Sequence, residues 1–123
     1  MTVKVALHGP DGAKVRFTQP CLVDTGYSGF LMVPSKHESH ARSIGTKVVS
    51  SSGILAGNFP VETKVCYGTV DEIEGYIPQM PIEVVITFLG SGHGLIGRNL
   101  LSRWIAQFDG PRSLLTILEE YVS

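Results

Sequence analysis

The sequence predicts an all-β protein, a small closed barrel with one or two short helices, in a single domain over residues 1–123. Several short segments alternate apolar and polar residues with the two-residue period of half-buried strands. The 14 glycines and 7 prolines separate these segments, as turn residues do. A chain of 123 residues that is 43% hydrophobic is long enough for one core and short for two domains.

The first element is predicted to be a β-hairpin. Val3, Val5 and Leu7 alternate with polar residues, and the alternation resumes at Val15. Between these arms, the segment HGPDG at 8–12 supplies turn residues, because proline restricts φ and glycine accepts positive φ.

The apolar segments 21–23 and 30–33 are predicted to be strands on either side of a polar loop. After the second, Ser35 and Glu38 have the spacing of a capping box, in which two side chains satisfy free backbone N–H groups. We therefore expect a short helix from Ser35 to about Ile44, ended by the glycine that follows.

A second hairpin is expected between Thr46 and Val65, with the polar segment 50–53 as its turn and Gly53 at its tip. Residues 83–89, EVVITFL, are rich in β-branched side chains and predict a central strand.

The rest of the chain is predicted to alternate between strands and turns around one more helix. A glycine-rich link at 90–94 leads to the apolar segment 95–97, and a helix of about one and a half turns follows at 99–104. The tail at 105–118 has the pattern strand, turn, strand.

The composition limits the function classes. Ten basic and eleven acidic residues predict neither nucleic acid nor an anionic membrane as a partner. The absence of an apolar run of about 20 residues and of a signal-peptide pattern leads us to expect a cytoplasmic protein. Cys21 and Cys66 are too few for a disulfide scaffold and are expected to be reduced core residues.

No cofactor is expected, and no metal site. His37 and His40 are three residues apart on the predicted helix and could bind a metal. Because the sequence supplies no third ligand, a solvated helix face is the favoured interpretation.

One motif stands out as a candidate for chemistry. Leu22 and Val23 precede Asp24, Thr25 and Gly26, so the carboxylate is expected at the mouth of the barrel with little water around it. Gly26 lets the backbone turn and present its N–H to the carboxylate. Alone this tripeptide is a weak signal, because aspartate and glycine are ordinary turn residues.

A second motif strengthens the first. The segment LVDTGYSG at 22–29 is followed by LIGRNLL at 95–101, whose glycine lies 73 positions after Asp24 (97 − 24). Together they resemble the retropepsin-like aspartic proteases, which include the retroviral proteases and small bacterial single-domain relatives. The bacterial members are the most similar after D-T-G, and the ending over 100–118 is more similar to the cellular DNA-damage-inducible relatives. The resemblance spans Leu22 to Leu118, in the middle by pattern only.

The resemblance implies a retropepsin-like barrel that works as a homodimer. Two copies of Asp24 would meet across the two-fold axis and share one proton. One carboxylate would activate a water for attack on a peptide carbonyl, and the other would stabilise the developing charge. The implied activity is that of an aspartic endopeptidase acting on extended polypeptide segments. One D-T-G per chain excludes a catalytic monomer under this interpretation.

The resemblance also assigns supporting roles. Thr25 would bond across the dimer, Gly97 would permit close packing behind the catalytic loop, and Arg98 and Asn99 would anchor the following helix. Tyr27 would lie beside the substrate groove. The flap over the substrate would comprise Ser51, Ser52, Gly53, Ile54 and Leu55, and its apolar residues suggest an apolar preference near the cut.

Two departures from the family pattern keep other functions open. Tyr27 stands where retroviral members have a small residue, and Ser28 stands where they have the acid that pairs with the arginine of the second motif. The alternative is a catalytically silent dimer that binds peptides or serves as an assembly module. A monomeric β domain in which Asp24 is merely a turn residue is the third possibility.

Overall fold

The computed structural model describes residues 1–24, 26–55, 59–102, 104–109 and 114–120, and for 53–55, 59–61, 104–109 and 114–120 it describes the backbone alone. These residues form nine strands and two short helices. In chain order they are β1 (Thr2–His8), β2 (Lys14–Val23), β3 (Leu31–Val33), α1 (His37–Ser43), β4 (Val49–Leu55), β5 (Phe59–Ile73), β6 (Ile82–Phe88), β7 (Gly94–Ile96), α2 (Arg98–Leu101), β8 (Trp104–Asp109) and β9 (Leu114–Glu120).

Six strands close into a barrel, which confirms the predicted all-β fold. They are hydrogen-bonded in the order β1-β2-β7-β3-β6-β5, and β5 pairs back with β1. The β2–β7 and β3–β6 pairs are parallel, and the other neighbouring pairs are antiparallel. β4 extends from β5 beyond the closed ring, and β8 and β9 form a separate two-stranded sheet.

The core lies inside this ring and follows the alternation of the strands. In β6 the side chains of Ile82, Val84, Ile86 and Phe88 are buried, while Glu83 between the first two is exposed. β6 lies between β3 and β5, as expected of a central strand. Other buried side chains of the core are Val3, Val5, Leu7, Leu31, Val33, Val70, Ile96 and Leu100.

Removing one methyl group from this core is expected to have a measurable cost. Ile86 is fully buried, so Ile86→Val should lower the free energy of unfolding by about 1 kcal/mol. Ile77→Val makes the same chemical change at a side chain that is 69% exposed, and it should stay within about 0.5 kcal/mol of wild type. Urea denaturation of the two variants measures both. Equal losses would contradict the placement of Ile86 in the core.

The second hairpin forms, but its turn is not at 50–53. Gly53 pairs with Val61 and Leu55 with Phe59, so both arms continue past the predicted tip. Ser51 and Ser52 are exposed strand residues. The prediction was wrong because polar residues are also compatible with a strand whose side chains are in water. Such a strand lacks the alternation of apolar and polar residues from which strands are predicted. Residues 56–58 lie outside the described part of the chain.

Helix α1 begins later than expected, and the predicted capping box does not form. Its N-cap is Lys36, with no side-chain capping bond. The Ser35 hydroxyl donates to the carbonyl of Gly90 instead (3.2 Å), and the Glu38 carboxylate accepts from the Arg42 guanidinium (2.8 Å). Both side chains thus have other partners. The predicted stop is confirmed, since Gly45 follows the helix with φ +79°.

Helix α2 is shorter than predicted. α2 ends at Leu101, and Trp104 begins strand β8 rather than closing the helix.

Cys21 and Cys66 are free and buried, as expected. Burial raises the pKa of the Cys21 thiol to about 12 and that of the Cys66 thiol to about 11. Among the described residues, no helix is long and apolar enough to cross a membrane.

Candidate functional site

The two sequence motifs lie side by side because β2 and β7 are parallel neighbours. Leu22 pairs with Leu95 and Val23 with Ile96. The backbone N–H of Asp24 then donates to the carbonyl of Ile96 at 2.9 Å, which continues the pairing by one residue. The aspartate at the end of one strand therefore adjoins the glycine that follows the other.

The carboxylate of Asp24 is held by its own loop. The backbone N–H of Gly26 donates to Asp24 Oδ1 at 2.9 Å, and the N–H of Tyr27 donates to the Asp24 carbonyl at 3.1 Å. Asp24 is half-buried and Gly26 is exposed. A Cβ atom at position 26 would come within 3.2 Å of the same carboxylate oxygen. The loop therefore fixes the carboxylate at the surface of the barrel. Thr25 lies outside the described residues.

The same loop caps the N-terminus of α2. The backbone N–H groups of Arg98 and Asn99 donate to the carbonyls of Tyr27 (2.9 Å) and Gly29 (3.1 Å), and that of Gly97 donates to Phe30 (3.0 Å). The first N–H groups of a helix have no partner inside it, so these carbonyls satisfy donors that would otherwise be free. Arg98 and Asn99 thus join helix and loop through their backbones, whereas their side chains are exposed.

The ring of Tyr27 packs between two glycines. An added Cβ at Gly29 would overlap the Tyr27 ring, and one at Gly97 would overlap the Gly29 carbonyl and lie 2.8 Å from Tyr27 Cδ2. The Tyr27 hydroxyl points toward Thr87 Oγ1 on β6, at 3.4 Å. The bulky residue of the first motif therefore occupies the space that side chains at positions 29 and 97 would need.

Ser28 and Arg98 are both exposed, and among the described side chains no carboxylate forms an ion pair with Arg98. Ser51 and Ser52 pair with Thr63 and Glu62 in the arm formed by β4 and β5. Within the described residues, no hydrogen bond joins that arm to the Asp24 loop. For Gly53 only the backbone is described, and the side chains of Ile54 and Leu55 lie outside the described part.

A groove with mixed polar and apolar lining lies elsewhere on the barrel. It has a volume of about 800 Å³ and runs between the outer faces of β1, β2 and β5 and the loop at 77–81. Two ion pairs line it, Lys4–Glu72 (3.2 Å) and Arg16–Asp71 (3.6 Å). None of the described residues of either motif lines this groove.

His37, predicted from its spacing to lie on a solvated helix face, is buried instead. The His37 side chain packs on Phe17, with ring centroids 3.9 Å apart and planes 9° from parallel. Its Nε2 lies 3.2 Å from Oε1 of the buried Gln19, and its Nδ1 lies 3.4 Å from Nδ1 of the exposed His40. Burial, with smaller contributions from His40 and Lys36, lowers the pKa of His37. Helical spacing could not reveal this environment, because Phe17 and Gln19 come from β2.

Comparison with known protein families, with curated proteins and with solved structures finds no match to this chain.

Proposed function

We propose that the protein is a retropepsin-like aspartic endopeptidase, active as a homodimer with one Asp24 from each chain. The observation that carries the proposal is the continuous hydrogen bonding between the two motifs, from Asp24 to Ile96 and from the loop carbonyls to Arg98 and Asn99. A turn aspartate needs no such support from residues 73 positions away. A general base that must hold its geometry does, because small displacements of a catalytic group cost large factors in rate.

In the proposed mechanism the two carboxylates lie about 3 Å apart and share one proton, because two charges at that distance cannot both be stable. The ionised carboxylate takes a proton from a water molecule, which attacks the scissile carbonyl carbon. The protonated carboxyl donates a hydrogen bond to the carbonyl oxygen and stabilises the developing charge. The amide bond breaks as the carboxyl that took the water proton passes a proton to the leaving nitrogen. Neither a metal nor a cofactor enters these steps.

The loop around Asp24 has a defined part in this mechanism. The Gly26 N–H bonds Oδ1 and so orients the carboxylate. Thr25 would bond its counterpart across the two-fold axis and hold the two loops together, and Gly97 leaves room for the loop behind the carboxylate.

The proposed substrate is an extended polypeptide segment in the cytoplasm, with no role for nucleic acid or a membrane. Among the described strands, β4 has β5 as its single partner, so its outer edge can add a further strand. The arm formed by β4 and β5 would close over the substrate as a flap, and Ile54 and Leu55 near its end favour an apolar side chain beside the cut.

One observation favours the alternative of a silent dimer that binds peptides or serves as an assembly module. Arg98 is exposed without an ionic partner among the described side chains, and Ser28 offers it no carboxylate. If the loops are less firmly held in the dimer, the two carboxylates would stand too far apart to share a proton, and binding without cleavage would remain.

The test is cleavage of a diverse peptide mixture from about pH 4 to pH 7, because the rate of an acid–base mechanism varies with pH. Wild type is compared with Asp24→Asn and with Asp11→Asn, which makes the same change in the exposed turn between β1 and β2. We expect cuts by wild type and Asp11→Asn, resistant to a metal chelator, and none by Asp24→Asn. No cuts from a chain shown to be dimeric would favour the silent dimer, and equal cutting by all three would indicate a contaminant.

A further inference from the structure

The orientation of the Gln19 side chain follows from its hydrogen bonds. Gln19 is 3% exposed, and its Nε2 lies 2.9 Å from the carbonyl of Pro20 and 3.0 Å from that of Gly92. Carbonyl oxygens only accept hydrogen bonds, so this end of the amide must be the NH₂ group. The other end, which faces His37, is therefore the oxygen.

That oxygen determines which nitrogen of His37 carries the proton. Gln19 Oε1 lies 3.2 Å from His37 Nε2 and cannot donate, so Nε2 must be protonated. In the neutral ring, Nδ1 then has a free lone pair. The parallel stack on Phe17 holds the ring plane, so the direction of this lone pair is held as well.

A second imidazole nitrogen lies within hydrogen-bond distance of this lone pair. His37 Nδ1 and His40 Nδ1 are 3.4 Å apart, with the ring planes inclined at 54°. Two nitrogens bound to one tetrahedral zinc, each about 2.0–2.1 Å from it, lie about 3.3–3.4 Å apart. Histidine ligands also typically donate their other N–H to an oxygen of the protein, which sets the tautomer. His37 already makes that bond with Gln19.

We propose that Nδ1 of His37 and Nδ1 of His40 chelate a divalent transition-metal ion such as Zn²⁺ or Ni²⁺. Imidazole nitrogen is a preferred ligand of these ions. No group of three or more His, Cys, Asp and Glu side chains that could hold a metal occurs among the described residues, so water fills the remaining positions. His40 is exposed, which gives the ion access from solvent. Without metal, His40 Nδ1–H donates to His37 Nδ1, and when the ion binds, the proton moves to Nε2 of the exposed His40 ring.

This site is independent of the proposed peptidase. It lies on α1 and is supported by β2 and by the Gly92 carbonyl, and it includes no residue of either motif. Because the ion binds a geometry that exists only in the folded chain, binding also raises the melting temperature.

The test is isothermal titration of the full, untagged chain with NiCl₂ and, separately, with ZnCl₂. We expect one ion per chain in wild type, affinity at least about tenfold weaker in His40→Ala, and unchanged affinity in His93→Ala, which removes an exposed histidine from the loop before β7. Equal binding by wild type and His40→Ala would overturn the proposal. If wild type shows no saturable binding up to about 1 mM metal, the proposal is also overturned. The contact between the two rings is then a hydrogen bond alone.

A second measurement uses wild type alone and does not depend on how a variant folds. Paramagnetic Ni²⁺ should broaden the imidazole C–H resonances of His37 and His40 at substoichiometric ratios and leave those of His8 and His93 sharp. Preferential broadening of His8 or His93 would place the ion elsewhere and reject the site.

Discussion

When wild-type chains are mixed with a tenfold excess of Asp24→Asn chains, peptide cleavage per wild-type chain is expected to fall about tenfold, because the proposed two-fold site needs an aspartate from each partner. If chains pair at random, the active fraction follows the square of the wild-type fraction, so about one dimer in a hundred carries two aspartates. The measurement is the initial rate of cleavage of one identified substrate after the chains have been allowed to exchange.

The matched control is a mixture with a tenfold excess of Asp11→Asn chains, which retain Asp24 and should cleave at the wild-type rate. A rate that depends linearly on the wild-type fraction would mean that each chain works alone, and it would contradict the paired-aspartate mechanism. The experiment thus separates a dimeric active site from a dimer in which each subunit has its own.

Gly97→Ala is expected to destabilise the fold by about 3 kcal/mol, near the upper end for overpacking, and to abolish cleavage. Gly97 has φ −95° and ψ 173°, so alanine is not strained there by its backbone. The cost comes from space, because the new methyl would overlap the Gly29 carbonyl and press on the Tyr27 ring. A carbonyl cannot turn aside as a flexible side chain can, so the loop that carries Asp24 must move. Thermal denaturation and the cleavage rate measure the two effects.

Gly12→Ala is the contrasting variant. Gly12 has φ +79° and open space around its Cβ position, so its cost is backbone strain of about 1–2 kcal/mol. Because no hydrogen bond or ion pair among the described residues joins this turn to either motif, cleavage should be unaffected once the protein is folded. If Gly97→Ala lowered stability no more than Gly12→Ala and kept full activity, the close packing behind the Asp24 loop would be unimportant.

Local sequence patterns predicted most of the strands and failed where side chains are in water or find distant partners. The first hairpin, the β6 strand and the glycine after α1 were correct, because alternation and glycine φ act over a few residues. The strands of the second hairpin continue past 50–53. The pattern did not predict this, because the exposed serines show no alternation of apolar and polar residues. The capping box failed because Ser35 bonds Gly90, 55 positions away.

The candidate site divides in the same way. From the sequence it was possible to predict that Asp24 ends a strand and that a second motif follows 73 residues later (97 − 24). The tertiary structure alone decided that β2 and β7 are parallel neighbours, that the Asp24 loop caps α2, and that His37 is buried against Phe17. Strand periodicity reports which face is buried, whereas the pairing of strands depends on contacts between residues far apart in the chain. For that reason the candidate residues could be selected from the sequence, whereas their neighbours in the fold could not.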